Sequence, residues 1–422
     1  MRAFFDLAAA VVALAAAFGY LNHRFVHLPH TIGLVAIGLA VSLVMMAIDA
    51  VMPGLGLGDA VREALTDIDF SDALLEGMLS FLLFAGALHV DLDALASRKW
   101  VITLTATLGT LISTFLIGGV LWLIVGLLGI ALPLIWCLVF GALIAPTDPV
   151  AVLGILKRTR VPKTLEAKIA GESLFNDGVG IVVFTILASV AVGSGDHEVT
   201  ALSVATLFIV EAVGGVALGL ILSFVAYRLL KTVDEHNLEV MITLALAMGT
   251  FAIAHAIHVS GPIATVCAGL LIGNLGTRFA MSERTREHTT SFWELVDEIL
   301  NSALFLLIGF EVVAITLEWP ILLLGLIAVP LALGARFVSI GLPVGVLKLF
   351  GAPFSQGTVR IMTWGGLRGG ISVALALSLP PGPEREILLT ICYIVVLFSI
   401  LVQGTTMERV VARIAREEQA SA

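Results

Sequence analysis

Long apolar runs, separated by short polar connections, extend along the whole chain. A membrane-spanning helix needs about 20 apolar residues, because the hydrocarbon core of a bilayer is about 30 Å thick. The strands of a membrane barrel would instead alternate apolar and polar residues over about ten positions. Hydrophobic residues make up 59% of the 422 residues and charged residues 13%, against about 25% charged residues in soluble domains. The sequence therefore predicts an all-α integral membrane protein.

The runs predict about thirteen transmembrane helices. Their approximate ranges are 3–21, 30–48, 72–90, 100–128, 134–156, 165–192, 200–227, 238–257, 262–275, 292–315, 320–347, 359–379 and 386–407. Eighteen of the 23 Lys and Arg residues lie in alternate connections, and three lie in the others. Because cytoplasmic loops are enriched in Lys and Arg, we expect a multi-pass protein of the cell (inner) membrane with its amino terminus outside and its carboxyl terminus in the cytoplasm. Removal of residues 1–20 as a signal peptide would invert this bias, so we interpret them as the first span.

Charge and cysteine content exclude several classes of protein. A net charge of -9 gives no basic patch of the kind that nucleic acid needs. Cys137, Cys267 and Cys392 lie in apolar stretches without paired spacing, which predicts neither a disulfide framework nor a zinc site. We expect no cofactor.

The two halves of the chain share a hydropathy register. A shift of about 220 residues places the first six spans near spans eight to thirteen. The offset is seven helices, an odd number, so the halves would face opposite ways, as the inverted repeats of secondary transporters do. We therefore divide the chain into a first repeat at residues 1–192, a linker helix at 193–237, a second repeat at 238–407 and a short cytoplasmic tail at 408–422.

Spans five and twelve correspond in the two repeats, and both are interrupted in mid-membrane. Span five carries Pro146 and Pro149 around Thr147-Asp148, and span twelve carries glycines at 365, 366, 369 and 370 around Arg368. Paired discontinuous helices at matching positions point to a transport site. We therefore expect the two broken helices to cross.

The prolines of span five also predict available ligands. Pro146 and Pro149 have no amide hydrogen to donate to the carbonyls of Ala142 and Ala145, so backbone oxygens near Asp148 are expected to be free. Carbonyl oxygens together with a carboxylate suit a small hard cation. The alternative is a kinked helix in which Asp148 caps the lower half.

Span six adds a second acid to this site. Ser173 and Asp177 are four residues apart on one helical face, and Glu172 and Asn176 lie on a stripe rotated by about 100°. A carboxylate at membrane depth costs roughly 2.5 to 3.5 kcal/mol on insertion scales, so Asp148 and Asp177 are candidate ligands.

Glu172 needs a buried partner of opposite charge. Arg336 is the only basic residue of span eleven, and an arginine that keeps its charge must be paired in hydrocarbon. We expect a structural ion pair between them. Arg368 is the competitor, although it could instead neutralise the carboxyl end of a half-helix or line the cytoplasmic cavity. Glu76 in span three could reach the ion through a water or cap the helix near its outer end.

The motifs that contain these acids resemble those of a known family. Thr147-Asp148-Pro149 on one helix and Glu172-Ser173-Leu174-Phe175-Asn176-Asp177 on the next are similar to the NhaP/NHE branch of the monovalent cation:proton antiporters. The thirteen-span topology and the glycine-rich break of the penultimate span also resemble that family, and the resemblance covers nearly the whole chain.

The resemblance implies a function and a set of ligands. Asp148 and Asp177 would bind the ion or proton, with Ser173 and the backbone at Thr147 as further Na⁺ ligands and Asn176 as a further residue of the ion- or proton-binding site. The Asn176-Asp177 pair implies electroneutral one-for-one exchange of Na⁺ or Li⁺ for H⁺, in the service of pH homeostasis. Family members are usually homodimers, in which a core domain moves against a dimerisation domain.

The residues themselves leave other functions open. Two close carboxylates in a poorly hydrated cavity repel each other, so a proton and a cation would compete for their oxygens. Potassium for proton exchange on the same fold is the nearest alternative, because the sequence does not fix the cavity size. An intramembrane aspartyl protease also needs two Asp residues, but the surrounding Ser, Asn and Arg residues suit ion binding better. A passive channel is disfavoured, because the acids would trap the ion. We therefore expect a transporter and not an enzyme.

Overall fold

The structure is a computed structural model, and it describes residues 2–52, 77–96, 99–148, 152, 163–193, 201–314, 318–351, 354 and 357–421. Within these ranges the chain forms eighteen α-helices and no β-strand. They are α1 (Arg2–Leu21), α2 (His30–Val51), α3 (Leu79–Leu88), α4 (Leu92–Ala96), α5 (Lys99–Ala106), α6 (Leu108–Leu127), α7 (Leu134–Ile144), α8 (Lys163–Val192), α9 (Ala201–Leu230), α10 (His236–Ala256), α11 (Gly261–Leu271), α12 (Thr277–Phe279), α13 (Glu283–Phe310), α14 (Trp319–Leu349), α15 (Thr358–Trp364), α16 (Gly370–Leu377), α17 (Pro383–Phe398) and α18 (Thr405–Ser421). Short π-helical segments at Asn22–Val26, Ile272–Gly276 and Ser399–Gly404 and a 3-10 helix at Glu311–Ala314 connect some of them.

The helices confirm the predicted all-α membrane architecture. Each predicted span overlaps at least one helix. In the part of the chain that the structure describes, eight helical stretches are long and apolar enough to cross a bilayer, namely Ala8–Val26, His30–Val51, Lys99–Leu127, Ile169–Val192, Thr206–Leu230, His236–Ala256, Trp319–Leu349 and Pro383–Ile414. The count of thirteen crossings stays a prediction. Glu76 and Pro149 lie outside the described residues.

Both predicted interruptions are present. In span five, α7 begins after Pro133 and ends at Ile144, and the last helical hydrogen bond joins the Ala145 N–H to the Gly141 carbonyl at 3.0 Å. Pro146 follows at once and has no N–H with which to continue the helix. In span twelve, α15 and α16 are separated by residues 365–369.

The interrupted helices lie at the centre of the bundle. Helix α7 packs against α6, α8, α16 and α17, and α16 packs against α8, α13 and α17. Phe140 and Ile144 of α7 and Ala374 of α16 expose no surface and belong to the largest hydrophobic cluster. The breaks are therefore surrounded by protein on several sides, as irregular backbone at membrane depth must be.

Close helix contacts elsewhere depend on small residues. Helix α2 packs on α13, where Gly38 and Gly309 meet backbone to backbone and the Ser42 hydroxyl donates to the Gly309 carbonyl at 3.2 Å. A Cβ on Gly309 would lie 2.9 Å from the Gly38 Cα. Such contacts let membrane helices gain van der Waals packing that a larger side chain would prevent.

Candidate functional site

The two helix breaks meet at a single backbone contact. The Asp148 N–H donates to the Leu367 carbonyl at 2.8 Å, which forms an isolated antiparallel bridge. The half-buried Asp148 carboxylate lies against Gly369, so closely that a Cβ at residue 369 would collide with it. The first predicted ligand is therefore held at the crossing point of spans five and twelve.

Thr147 ties this crossing to α8. Its hydroxyl oxygen lies 2.9 Å from the Ser173 hydroxyl oxygen, and the Ser173 hydroxyl also donates to the Thr147 carbonyl. The Asn176 amide accepts from the Thr147 N–H at 3.3 Å and donates to the Thr147 hydroxyl at 2.8 Å. All three side chains are at most 2% exposed. Both backbone polar groups of Thr147 are thus bound by one helix.

Glu172 and Arg336 form a buried ion pair. Arg336 donates to the two carboxylate oxygens of Glu172 at 2.7 and 2.5 Å, and the Asn176 amide donates to Glu172 at 2.8 Å. Glu172 is 1% and Arg336 5% exposed. Both ends of the Asn176 amide are thus engaged, between Thr147 and Glu172, and its role in ion binding stays a prediction.

Arg368 occupies the end of the first half-helix. Its Nη1 donates to the carbonyls of Ala145 and Pro146 at 2.6 and 2.7 Å. The expectation that the prolines leave the Ala145 carbonyl free for a cation is therefore wrong for this oxygen. The guanidinium takes it because an arginine at this depth needs acceptors as much as the helix end needs donors. Of the two roles foreseen for Arg368 besides a pair with Glu172, the geometry matches neutralisation of the half-helix carboxyl end.

Asp177 differs from its neighbours in having an open carboxylate oxygen. It is 4% exposed, and its Oδ1 has no hydrogen-bond partner among the residues that the structure describes. The charge of Asp148 acts on it most strongly, followed by those of Glu172, Arg368 and Arg336. Asp177 is thus a buried carboxylate next to a second acid, with an oxygen available to a ligand.

Sequence reasoning did not single out the side chains that support the second break. The Ser399 hydroxyl accepts from the Arg368 N–H at 2.8 Å, and the Gln403 amide donates to the Trp364 carbonyl at 2.9 Å. Both lie in the π-helical segment that follows α17. A serine and a glutamine in a long apolar run were the available signal, although polar residues in such runs also serve packing.

The arrangement defines a class of protein. Two interrupted helices cross in the middle of a helical membrane bundle, and buried acids lie at the crossing, as in secondary transporters for small ions. The sequence of residues 11–413 matches the model of the family described as "Sodium/hydrogen exchanger, transmembrane". The chain belongs to this family of transporters, which confirms the resemblance seen in its motifs.

Similar proteins agree with this assignment. The chain is 47% identical to the Na(+)/H(+) antiporter NhaP of Pseudomonas aeruginosa over 97% of its own length and 96% of that protein. It is 32% identical to the Na(+)/H(+) antiporter NhaH of Halobacillus dabanensis, with 92% of each chain covered. Its fold matches the sodium proton antiporter MjNhaP1 of Methanocaldococcus jannaschii at pH 8 with a TM-score of 0.76 and 20% identity, over 98% of this chain and 99% of that one.

Proposed function

We propose that the chain exchanges Na⁺ or Li⁺ for H⁺ across the membrane, one for one, at Asp148 and Asp177. The cation and the proton bind in turn to the same carboxylates, and the site is exposed to the two sides of the membrane alternately. The Thr147 and Ser173 hydroxyl oxygens, 2.9 Å apart, are close enough to contact one ion together.

The charge balance of the site is the observation that carries this proposal. Its carboxylates are Asp148, Asp177 and Glu172, and its cations are the guanidinium groups of Arg336 and Arg368, which lie against the same crossing. Among the described residues the fully ionised site therefore has one net negative charge. A single monovalent cation or a single proton neutralises it, and an uncompensated charge in a poorly hydrated site is costly. Movement with either ligand bound, and seldom with neither, gives one-for-one exchange.

The open oxygen of Asp177 supports the assignment of ligands. Glu172 has both oxygens bound by Arg336, so a cation would have to break a bidentate pair to reach it. Asp177 requires no such exchange of partners. We therefore propose Asp148, Asp177, Thr147 and Ser173 as the Na⁺ ligands, and Glu172 with Arg336 as a structural pair.

We also propose the two-repeat division, with boundaries at residues 192, 237 and 407. Helix α2 of span two packs on α13 of span ten, and α3 of span three packs on α11 of span nine. If the repeat relates span two to span nine and span three to span ten, it converts each of these contacts into the other. The crossing of spans five and twelve maps onto itself. We further propose that the protein is a homodimer in the inner membrane, with its amino terminus outside and its carboxyl terminus in the cytoplasm. Cysteine labelling from each side of the membrane tests this orientation.

The deciding experiment is exchange in proteoliposomes. Purified protein is reconstituted with a pH-sensitive dye inside, and Na⁺, Li⁺, K⁺ or choline is added outside, with and without a clamp on the membrane potential. We expect proton movement with Na⁺ and Li⁺, little with K⁺ or choline, and equal rates with and without the clamp. Movement driven best by K⁺ would identify the alternative exchange, and no cation-dependent movement would refute the proposal.

A further inference from the structure

Glu239 is a buried acid that lies outside the proposed ion site. It is in the first turn of α10 and exposes no surface. Neither of its carboxylate oxygens has a hydrogen-bond partner among the described residues, and the charged side chain that acts on it there is another acid, Asp234. Glu172 is equally buried but is bound by Arg336 and Asn176. Because an unpaired carboxylate away from water is costly, we expect a cation or a proton to neutralise Glu239.

The surface that faces Glu239 is lined by hydroxyl groups. Helix α13 packs on α10 and presents Thr285, Thr289 and Trp293, which are four residues apart on one face and are all buried. The Thr285 side chain interacts with the Glu239 carboxylate, although outside full hydrogen-bonding geometry. The Thr289 hydroxyl oxygen also has no partner among the described residues. The Trp293 indole donates to the Thr243 hydroxyl at 3.0 Å and closes the deep end of this face.

We propose that Glu239, Thr285 and Thr289 bind a monovalent metal cation, at a second site separate from the exchange site. Carboxylate and hydroxyl oxygens are hard ligands that suit such an ion. A single carboxylate matches a single positive charge, whereas a divalent ion would remain uncompensated. A proton is the alternative occupant, because a threonine hydroxyl oxygen can accept the hydrogen of a protonated carboxyl group.

The site lies near one end of the helix pair. The proposed exchange ligands lie on α8 and in the break that follows α7, and none lies on α10 or α13. The ring centroids of His236 and His288, near the starts of α10 and α13, are 4.8 Å apart at the same end of this helix pair as Glu239. In the proposed orientation this end faces the cytoplasm. An ion at Glu239 would therefore join two helices in response to cytoplasmic Na⁺.

Binding can be measured without transport. The variant Asp148→Asn/Asp177→Asn removes both exchange-site carboxylates, and its unfolding temperature in detergent is followed as NaCl replaces choline chloride at constant ionic strength. We expect a saturable rise with NaCl, and KCl in place of NaCl measures the preference of the site among monovalent metal ions. Adding Glu239→Gln should abolish the rise, and adding Thr289→Val should raise the half-saturating Na⁺ concentration about tenfold, the equivalent of about 1.4 kcal/mol. Thr289→Ser keeps the hydroxyl and should keep the affinity.

The controls distinguish a bound metal ion from a bound proton and from a general effect of salt. Glu294→Gln neutralises an exposed acid of α13 and should leave the titration unchanged. Absence of a saturable rise in the Asp148→Asn/Asp177→Asn background, or an equal rise after Glu239→Gln, overturns the second site. If Glu239→Gln raises the unfolding temperature above that of its parent by the same amount in sodium and in choline, the occupant is a proton and the second metal site is overturned. If Glu239→Gln fails to fold, the comparison of Thr289→Val with Thr289→Ser decides. The proposed exchange could fail in proteoliposomes while this binding persists, so the two results are distinguishable.

Discussion

Glu172 and Asp177 are two buried acids of the same helix with opposite surroundings. Glu172 has both oxygens bound by Arg336 and a further bond from Asn176. Asp177 is 4% exposed and keeps an oxygen without a partner among the described residues. Saturated bonds hold a carboxylate in one place, whereas an open oxygen can accept a ligand that comes and goes. Burial alone therefore does not distinguish the two acids, whereas the number of unfilled acceptor positions does.

The largest effect should come from breaking the ion pair of Glu172 with Arg336. Arg336→Leu leaves Glu172 buried without a counter-charge, and loss of one partner of such a pair typically costs about 3–5 kcal/mol. We expect a strongly lowered unfolding temperature in detergent. Glu172→Leu/Arg336→Leu should recover much of the loss, because no unpaired charge remains. Equal stability of the single and double variants would show that Glu172 is not held by this pair.

Asp177→Asn is the matching change at the open acid. The amide keeps the shape and removes the charge that a cation or proton neutralises, so exchange should fall by at least about 100-fold, the equivalent of about 2.8 kcal/mol of ion binding. Stability should be retained, since no ion pair is broken. The measurement is Na⁺-driven proton movement in proteoliposomes. Asp93→Asn, which breaks only an exposed pair with Arg278, serves as the control. A similar loss of exchange in Asp93→Asn would contradict a specific role for Asp177.

Substitution of Arg368 tests whether its guanidinium supports ion binding by holding the backbone carbonyls of Ala145 and Pro146. Arg368→Gln gives up charge-assisted bonds to the Ala145 and Pro146 carbonyls, each worth roughly 1.5–3 kcal/mol. Partial replacement by the amide should limit the loss to about a tenfold rise in half-saturating Na⁺. Arg368→Lys should fall between the wild type and the glutamine variant, because lysine keeps the charge but its shorter side chain does not place the ammonium nitrogen where Nη1 contacts both carbonyls. An unchanged Na⁺ dependence in Arg368→Gln would exclude this role.

Ser173 should give the smallest effect. Ser173→Ala removes one hydroxyl from the proposed ligand set, and a neutral hydrogen-bonding group contributes about 1 kcal/mol net, so half-saturating Na⁺ should rise about fivefold. Ser189→Ala, further along the same helix with its hydroxyl bound to the Ile186 carbonyl at 2.8 Å, should leave the Na⁺ dependence unchanged. Equal shifts in the two variants would argue against Ser173 as a ligand.

The sequence predicted the helical membrane fold, the family and the two breaks, because each depends on a strong local rule. Long apolar runs must span the bilayer, and proline and clustered glycine end helices. The contact between Glu172 and Arg336 was also foreseeable, since few partners for a buried charge exist in such an apolar chain. The number of crossings, the repeat boundaries and the ion ligands remain predictions.

The use of the backbone oxygens near Asp148 was not foreseeable in the same way. Helical periodicity predicts which residues share a face, but it ends at the break, where side-chain directions depend on the partner segment. The reach of Arg368 back to the Ala145 carbonyl depends on how spans five and twelve cross. The support that Ser399 gives to the Arg368 N–H depends on a local change of helical pitch that apolar flanking residues do not reveal.

The distance along the chain between these partners has a consequence for how the protein is made. Ala145 and Arg368 are 223 residues apart, and Glu172 and Arg336 are 164 residues apart. A chain made from its amino terminus presents its acids to the bilayer long before the ribosome has polymerised either arginine. Until then, a proton, water or the insertion machinery must neutralise or solvate Glu172. Insertion of spans eleven and twelve therefore completes the proposed ion site. It also ends the stage of biogenesis in which Glu172 has no arginine partner.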